Sequence, residues 1–307
     1  MRRLAGVHQS GAVWLVVPHR DVNRLEHSIG TMLLVRRLGG SLEEQVAALV
    51  HDAGHGAFSH VIDRVHDDAS DAWHEEHGVA WVMGTELPGL LERHGFDPEH
   101  LLVPHRWPLL DRPSPDLCAD RVDYTLRDCL HEGLVDVEGA RAFLDALVVT
   151  ADRDVAVDDP GHAVWFAELF AELVRTVFMD PVGVWSDAVL AGVIRRALEG
   201  GAIDDDALMG TDGELLERLR ATGDPDLDLL RPGARVEHDP HEPDAVANPK
   251  PRVVDPLVVG GPDGPIRASQ LAPRLLAVAD DIRARSAAGV RVRAIPRPPG
   301  RGTTGTG

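Results

Sequence analysis

The stretch His51-Asp52-Ala53-Gly54-His55-Gly56-Ala57-Phe58-Ser59-His60 decides how this chain is read, because it closes a helix and gathers reactive side chains in the same few residues. Upstream of it, Ser41 followed by Glu44 forms a capping box ahead of Leu42, Val46, Leu49 and Val50. A helix is therefore predicted from Leu42 to about Asp52, interrupted by Gly54 and Gly56. An adjacent His-Asp pair at the end of a helix can turn an imidazole nitrogen and a carboxylate oxygen toward one cation, but two donors leave most of a coordination shell empty. His27 upstream and Asp120 downstream are far enough along the chain to return on neighbouring helices of a bundle, where facing side chains build metal sites. Two imidazoles and two carboxylates suit Mn, Fe, Co, Ni or Zn better than Mg, which prefers oxygen ligands.

Outward from this stretch, helical periodicity dominates from Arg24 onward. Ser114-Pro115 reads as an N-cap followed by Pro at the first helical position, with Gly133 beyond the end. On that helix Asp120, Tyr124 and Asp128 share one polar face, and Cys118, Val122, Leu126 and Cys129 an apolar one. Further helices are predicted near 74–85, 138–149, 161–178, 183–199, 213–221 and from Ser269 to about Ser286, with an extended stretch at Val290–Ile295. The first 25 residues, with Val13-Trp14-Leu15-Val16-Val17, read as an irregular or hairpin lead-in. Pro, Gly and Asp crowd residues 223–265, which excludes a long helix there. The fold class is mostly α, a helical bundle over 1–222, then a Pro/Gly-rich segment with a C-terminal helix over 223–295 as a smaller lobe, and a disordered tail over 296–307.

Composition narrows the function. The chain has 307 residues and a formal charge of −19, which argues against a nucleic-acid clamp or a binder of anionic membranes. The basic start of the chain has no apolar stretch behind it, and no uncharged apolar run reaches about 18 residues, so neither export nor a membrane span is expected. Cys118 and Cys129 alone make neither a disulfide framework nor a thiolate metal site, which points to a reducing cytoplasm. Thirteen of the 16 histidines lie between His8 and His131, where an even spread would put about seven. A single histidine is more often a satisfied core or surface group than a ligand, and His66, His77, His94, His100 and His105 read as surface; the grouping points to chemistry.

The residues then match a known pattern. His27, His51-Asp52 and Asp120 resemble the H…HD…D signature of HD-domain phosphohydrolases, and Arg24-Leu25-Glu26-His27-Ser28-Ile29-Gly30, the His51–His60 run, His74-Glu75 and Asp120–Asp128 are similar to the deoxynucleoside-triphosphate triphosphohydrolase branch. The resemblance covers roughly residues 4–220 and implies an HD-domain bundle holding one divalent metal ion (Mn, Fe, Co, Ni, Zn or Mg) on His27, His51, Asp52 and Asp120. It implies catalytic roles for His74, His55 and Asp63, the last orienting a histidine. Phosphate or sugar contacts are implied for Arg24, His60, Arg121, Tyr124 and Asp128, and a sugar 3′-hydroxyl contact for Gln9.

Two departures bear on substrate. Family members carry further segments for nucleotide-regulated assembly, whereas this chain starts close to the catalytic motifs, so allosteric activation is not expected. The later helix that closes over the triphosphate with several cations is matched here by Glu168–Asp180, with one Arg and three acids. Each charge-assisted phosphate contact contributes about 1.5–3 kcal/mol, so a triphosphate would be held more weakly. The expectation is a metal-dependent phosphohydrolase cleaving a phosphoester of a nucleotide or related small molecule, a (deoxy)nucleotide favoured and mono- against triphosphate open. The alternatives are a dNTP triphosphohydrolase releasing tripolyphosphate and a non-catalytic nucleotide-binding regulatory module; homo-oligomer formation is left open. A two-iron oxygenase would need further ligands that the sequence does not assign.

Overall fold

The computed structural model describes residues 1–66, 73–261 and 264–295. Of the two forms expected for the lead-in, the structure takes the irregular one: two 3₁₀ turns, Arg2–Gly6 and Val13–Leu15, with β character confined to a bridge between His8 and Asn23. Helix α1 (Arg24–Arg37) starts where the Asn23 side chain accepts the Glu26 N–H at 3.0 Å, and α2 (Leu42–Val50) where Ser41 Oγ accepts that of Glu44 at 3.1 Å. The capping box is only half formed. Glu44, buried, turns its carboxylate away from Ser41 to accept the Leu109 N–H at 2.8 Å and to pair with Arg153, because those partners offset its burial.

Short helices α3 (Val61–Val65), α4 (Trp73–Met83), α5 (Leu87–Arg93) and α6 (Pro98–Leu101) lead to α7 (Ala119–His131). The structure moves the start of α7 from Pro115 to Ala119. The Ser114 hydroxyl donates to Val253 O at 2.7 Å instead of capping, the Ser114-Pro115 bond is cis, and the first N–H groups of α7 donate to the carbonyls of Leu109 (2.7 Å) and Leu110 (3.2 Å). The apolar face of α7 is buried, with both cysteines free.

The predicted helix 138–149 ends early, as α8 (Val137–Asp145). Leu147–Val149 instead form β1, antiparallel to β2 (Val155–Val157), since consecutive β-branched residues fit a pleated strand better. Helix α9 (Pro160–Leu173) runs through a widened turn at Val174–Phe178 into α10 (Pro181–Glu199), followed by α11 (Asp205–Leu208) and α12 (Asp212–Thr222). Among the described residues no single helix is long and apolar enough to cross a membrane.

Residues 223–295 supply β3 (Val236–His238), β4 (Ala245–Ala247), β5 (Leu257–Val258), β6 (Ile266–Arg267), α13 (Ala268–Leu271), α14 (Arg274–Ala288) and β7 (Val290–Ala294). The predicted last helix is split at Pro273, which lacks an N–H and disfavours helix at Ala272 before it. One sheet has the order β1-β2-β5-β6 and the other β3-β7-β4. β5 lies parallel to β2, and α10 packs on β7, so these strands share one apolar core with the helices, from Ala12 through Phe166 and Ile194 to Val292.

Candidate metal centre

α1, the end of α2 and α7 converge on one point. His27 Nε2 is 2.9 Å from Asp120 Oδ1 and 3.9 Å from Asp52 Oδ2, while His51 Nε2 is 3.4 Å from Asp52 Oδ1 and 3.5 Å from Asp120 Oδ1. One donor atom from each of His27, His51 and Asp52 falls within 4.8 Å of the other two.

The surroundings orient these donors. His51 Nδ1–H donates to Ala48 O at 2.7 Å, which leaves its buried Nε2 facing the cluster without a hydrogen-bond partner. His27 Nδ1–H donates to Asp123 Oδ2 at 2.8 Å, and Arg127 grips Asp123 through two bonds of 2.9 and 3.0 Å. Gly30 makes room for that pair, since a Cβ there would stand 2.0 Å from Asp123 Oδ1 and 2.3 Å from Arg127 Nη2. Asp123, within the Asp120–Asp128 stretch, thus supports His27; its place three residues after Asp120 on the same helix is the sequence signal for it.

Burial opposes charge at every one of these groups, and the neighbours outweigh it. Hydrogen bonds to Asp120 and Asp123 and the charge of Asp52 raise His27 to about 10, and the carboxylates likewise raise His51. Arg24, His51 and His55 hold Asp52 well below the usual carboxylate range, and the two histidines do the same for Asp120. Two imidazole nitrogens and two ionised carboxylates held by these supports, with one buried nitrogen unsatisfied, fit a divalent cation, whose binding replaces the protons now shared between them.

Of the other nominated residues, Arg24 donates to Asp52 Oδ2 and Ser59 Oγ, both at 2.7 Å, while its buried Nη2 has no partner. His55 Nε2 is 3.3 Å from Asp52 Oδ1, its ring edge-on to that of His60, and His60 Nδ1 is 3.2 Å from the fully buried Asp63. Tyr124 is packed between Phe170 and Phe178, and burial raises its phenol. Burial also pushes the Asp128 carboxyl up to about 7, with Asp123 adding to the effect. Arg121 spends its donors on the carbonyls of Asp116 and Arg112. Gln9, Arg24, His27, His51, Asp52, His55, His60, Asp120, Arg121, Tyr124 and Asp128 all line one cavity of about 1440 Å³, and Asp63 stands behind it. His74 falls on α4, but its side chain lies outside the described residues.

The turn that carries the cluster is itself held in place. Phe58 and Ser59 have φ of 57° and 51°, left-handed values that cost non-glycine residues about 1–3 kcal/mol each. The offset comes from Asp212, buried at the start of α12. It accepts the Phe58 N–H at 2.6 Å, the His8 N–H at 3.1 Å and the Trp14 indole N–H at 3.2 Å, and lies 2.7 Å from His8 Nδ1. Nothing local in the sequence pointed to Asp212. Gly54 lies against Gly78 of α4, where a Cβ would meet backbone at 2.8 Å, so the two segments touch main chain to main chain.

The HD domain family matches residues 24–127. The chain is 39% identical over 263 residues to the uncharacterized protein YdhJ of Bacillus subtilis, covering 84% of this chain and 81% of that one. It is 34% identical over 233 residues to the metal-dependent phosphohydrolase cns2 of Cordyceps militaris, covering 74% and 67%. The deoxynucleoside triphosphate triphosphohydrolase SAMHD1 of Danio rerio is 28% identical over 187 residues, covering 43% of this chain and 30% of that protein.

Proposed function

The chain belongs to the HD-domain metal-dependent phosphohydrolases, and from that premise we propose that it hydrolyses a phosphoester of a nucleotide or a molecule of similar size, with a deoxynucleotide favoured. The observation that carries this reading is the cluster of His27, His51, Asp52 and Asp120 in the wall of a cavity that Gln9, Arg24 and Tyr124 also line. A cavity of about 1440 Å³ has room for a nucleotide beside the cluster.

When bound, a divalent cation, with Mn the first to test, offsets phosphoryl charge and makes a water a better nucleophile toward phosphorus. Arg24 turns Nη2 to a phosphoryl oxygen while its other donors keep Asp52 in place. Arg121, its donors engaged by the backbone, contributes positive charge. His55 carries a proton to or from the phosphate side of the cluster, and His60, steadied by Asp63, contacts the substrate. His74 gives the leaving alkoxide its proton. Tyr124 and Asp128 face the sugar, and Gln9 Oε1, buried and unpartnered, accepts from a sugar hydroxyl. The two unpaired, buried thiols suit a reducing cytoplasm.

A dNTP triphosphohydrolase is the second reading, supported by the likeness to the Danio rerio enzyme. Incubation of the protein with Mn, Fe, Co, Ni, Zn or Mg and with ribo- and deoxynucleoside mono- and triphosphates separates the two. Orthophosphate from a monophosphate supports the first reading, and tripolyphosphate from a triphosphate the second. Asp52→Ala and Asp120→Ala are expected to lose metal and turnover together, and His74→Ala to keep metal and lose turnover. Nucleotide binding without turnover under every metal would leave a regulatory module instead.

A further inference from the structure

A second wall of the cavity is a strap. Residues 246–253, Val-Ala-Asn-Pro-Lys-Pro-Arg-Val, lead from β4 toward β5, which belong to different sheets, and all eight line the cavity. Both ends are fastened. Ala247 is paired with Val290 of β7, the carbonyl of Val253 accepts the Ser114 hydroxyl at 2.7 Å, and the Asp255 N–H donates to Pro115 O at 2.9 Å. Pro249 and Pro251 fix their own φ and have no N–H to give a ladder, so residues 248–253 of the strap join neither sheet. Lys250 and Arg252 both line the cavity from this strap.

These two cations stand out from the rest of the chain. Lys250 is the single lysine of a sequence with 30 arginines. The Arg252 guanidinium lies 5.4 Å over the Phe178 ring, and among the described residues it has no hydrogen bond or ion pair. Phe178 in turn packs on Tyr124, one helical turn beyond Asp120 on α7, so Arg252 sits past the aromatic side of the cavity from the metal cluster. By contrast Arg175, the arginine of the helical stretch expected to face a polyphosphate, is paired with Asp281 at 3.0 Å and is absent from the cavity lining.

We propose that Arg252 and Lys250 form an anion subsite for a second phosphate group of the substrate, beyond the phosphoester held at the cluster. This rests on the phosphohydrolase reading and makes nucleotides with at least two phosphates the preferred, more tightly held substrates over monophosphates. The cationic wall that Glu168–Asp180 does not provide comes from the strap, and an unpaired guanidinium steadied on a ring is a ready donor to phosphate oxygens.

The test is steady-state kinetics of the full chain with Mn on a deoxynucleoside monophosphate, its triphosphate and its 3′,5′-bisphosphate. Arg252→Gln is expected to raise KM about tenfold or more for whichever multiply phosphorylated nucleotide is the substrate, as befits the loss of one charge-assisted contact, with kcat within about twofold. KM for the monophosphate should move less than about threefold, Arg252→Lys should recover part of the loss, and Lys250→Gln should act in the same direction. The triphosphate and bisphosphate arms tell whether the second phosphate lies along a chain or on the sugar. Equal KM changes for all three, or none, would overturn the subsite. If the wild type turns over no phosphoester, the hydrolase reading has failed, and calorimetry with inorganic tripolyphosphate then judges the subsite alone: weaker binding by Arg252→Gln supports it, and unchanged binding overturns it.

Discussion

His27 reaches Asp123 through Nδ1 at 2.8 Å while its Nε2 points into the cluster, so one carboxylate outside the cluster sets the direction of an imidazole within it. Removing such a support typically weakens metal affinity about 10–100-fold. Asp123→Ala is predicted to do so, with Asp123→Asn losing less because it keeps an acceptor oxygen. Competition against a chromophoric chelator measures the effect, and an unchanged affinity would remove Asp123 from this role.

Gly30 lies under the same pair. Gly30→Ala puts a methyl where the carboxylate of Asp123 and the guanidinium of Arg127 now stand, and is predicted to cost about 1–3 kcal/mol in urea unfolding, the usual range for overpacking. Its metal affinity should fall together with that of Asp123→Ala. A normal urea midpoint would mean that the pair moves aside freely.

Asp212→Ala removes the acceptor of several donors at once. Each buried donor left unpaired costs about 1–3 kcal/mol, so a loss above about 3 kcal/mol is predicted, with Asp212→Asn in between. Metal affinity should fall with it, because Phe58 and Ser59 are no longer held beside Arg24. Circular-dichroism melts with metal titration check both, and a stable variant with intact affinity contradicts the assignment.

The pH dependence has a definite sign. Without metal, His27 is raised from 6.5 to about 10. A group raised on folding contributes its full stability below its unfolded pKa and loses it as the pH climbs through the folded value. The chelator-treated protein is therefore predicted to lose unfolding free energy between about pH 6.5 and 10. His27→Gln should flatten that slope, and added metal should reduce it, since coordination favours the deprotonated imidazole. A slope that survives the substitution would assign it to another group.

Local chemistry was legible in the sequence and distant pairing was not. The α2 start at Ser41, the polar face of Asp120, Tyr124 and Asp128, and the gathering of His27, His51, Asp52 and Asp120 follow from periodicity and motif. Glu44 reaching Leu109, Ser114 reaching Val253 and Asp212 reaching Phe58 join residues whose proximity exists only after the chain has packed. The same holds for the strap, whose Pro-rich composition announced a loop without saying what it would border.

The left-handed pair at Phe58 and Ser59 also has a temporal consequence. During translation these residues leave the ribosome long before Asp212, the acceptor that restrains them, has been made. The nascent N-terminal portion therefore carries all four candidate ligands, His27, His51, Asp52 and Asp120, without the fastening that keeps their turn in shape. Competence to take up metal is thus predicted to arise late in synthesis, and a nascent chain stalled before α12 emerges should bind the ion poorly despite containing every candidate ligand.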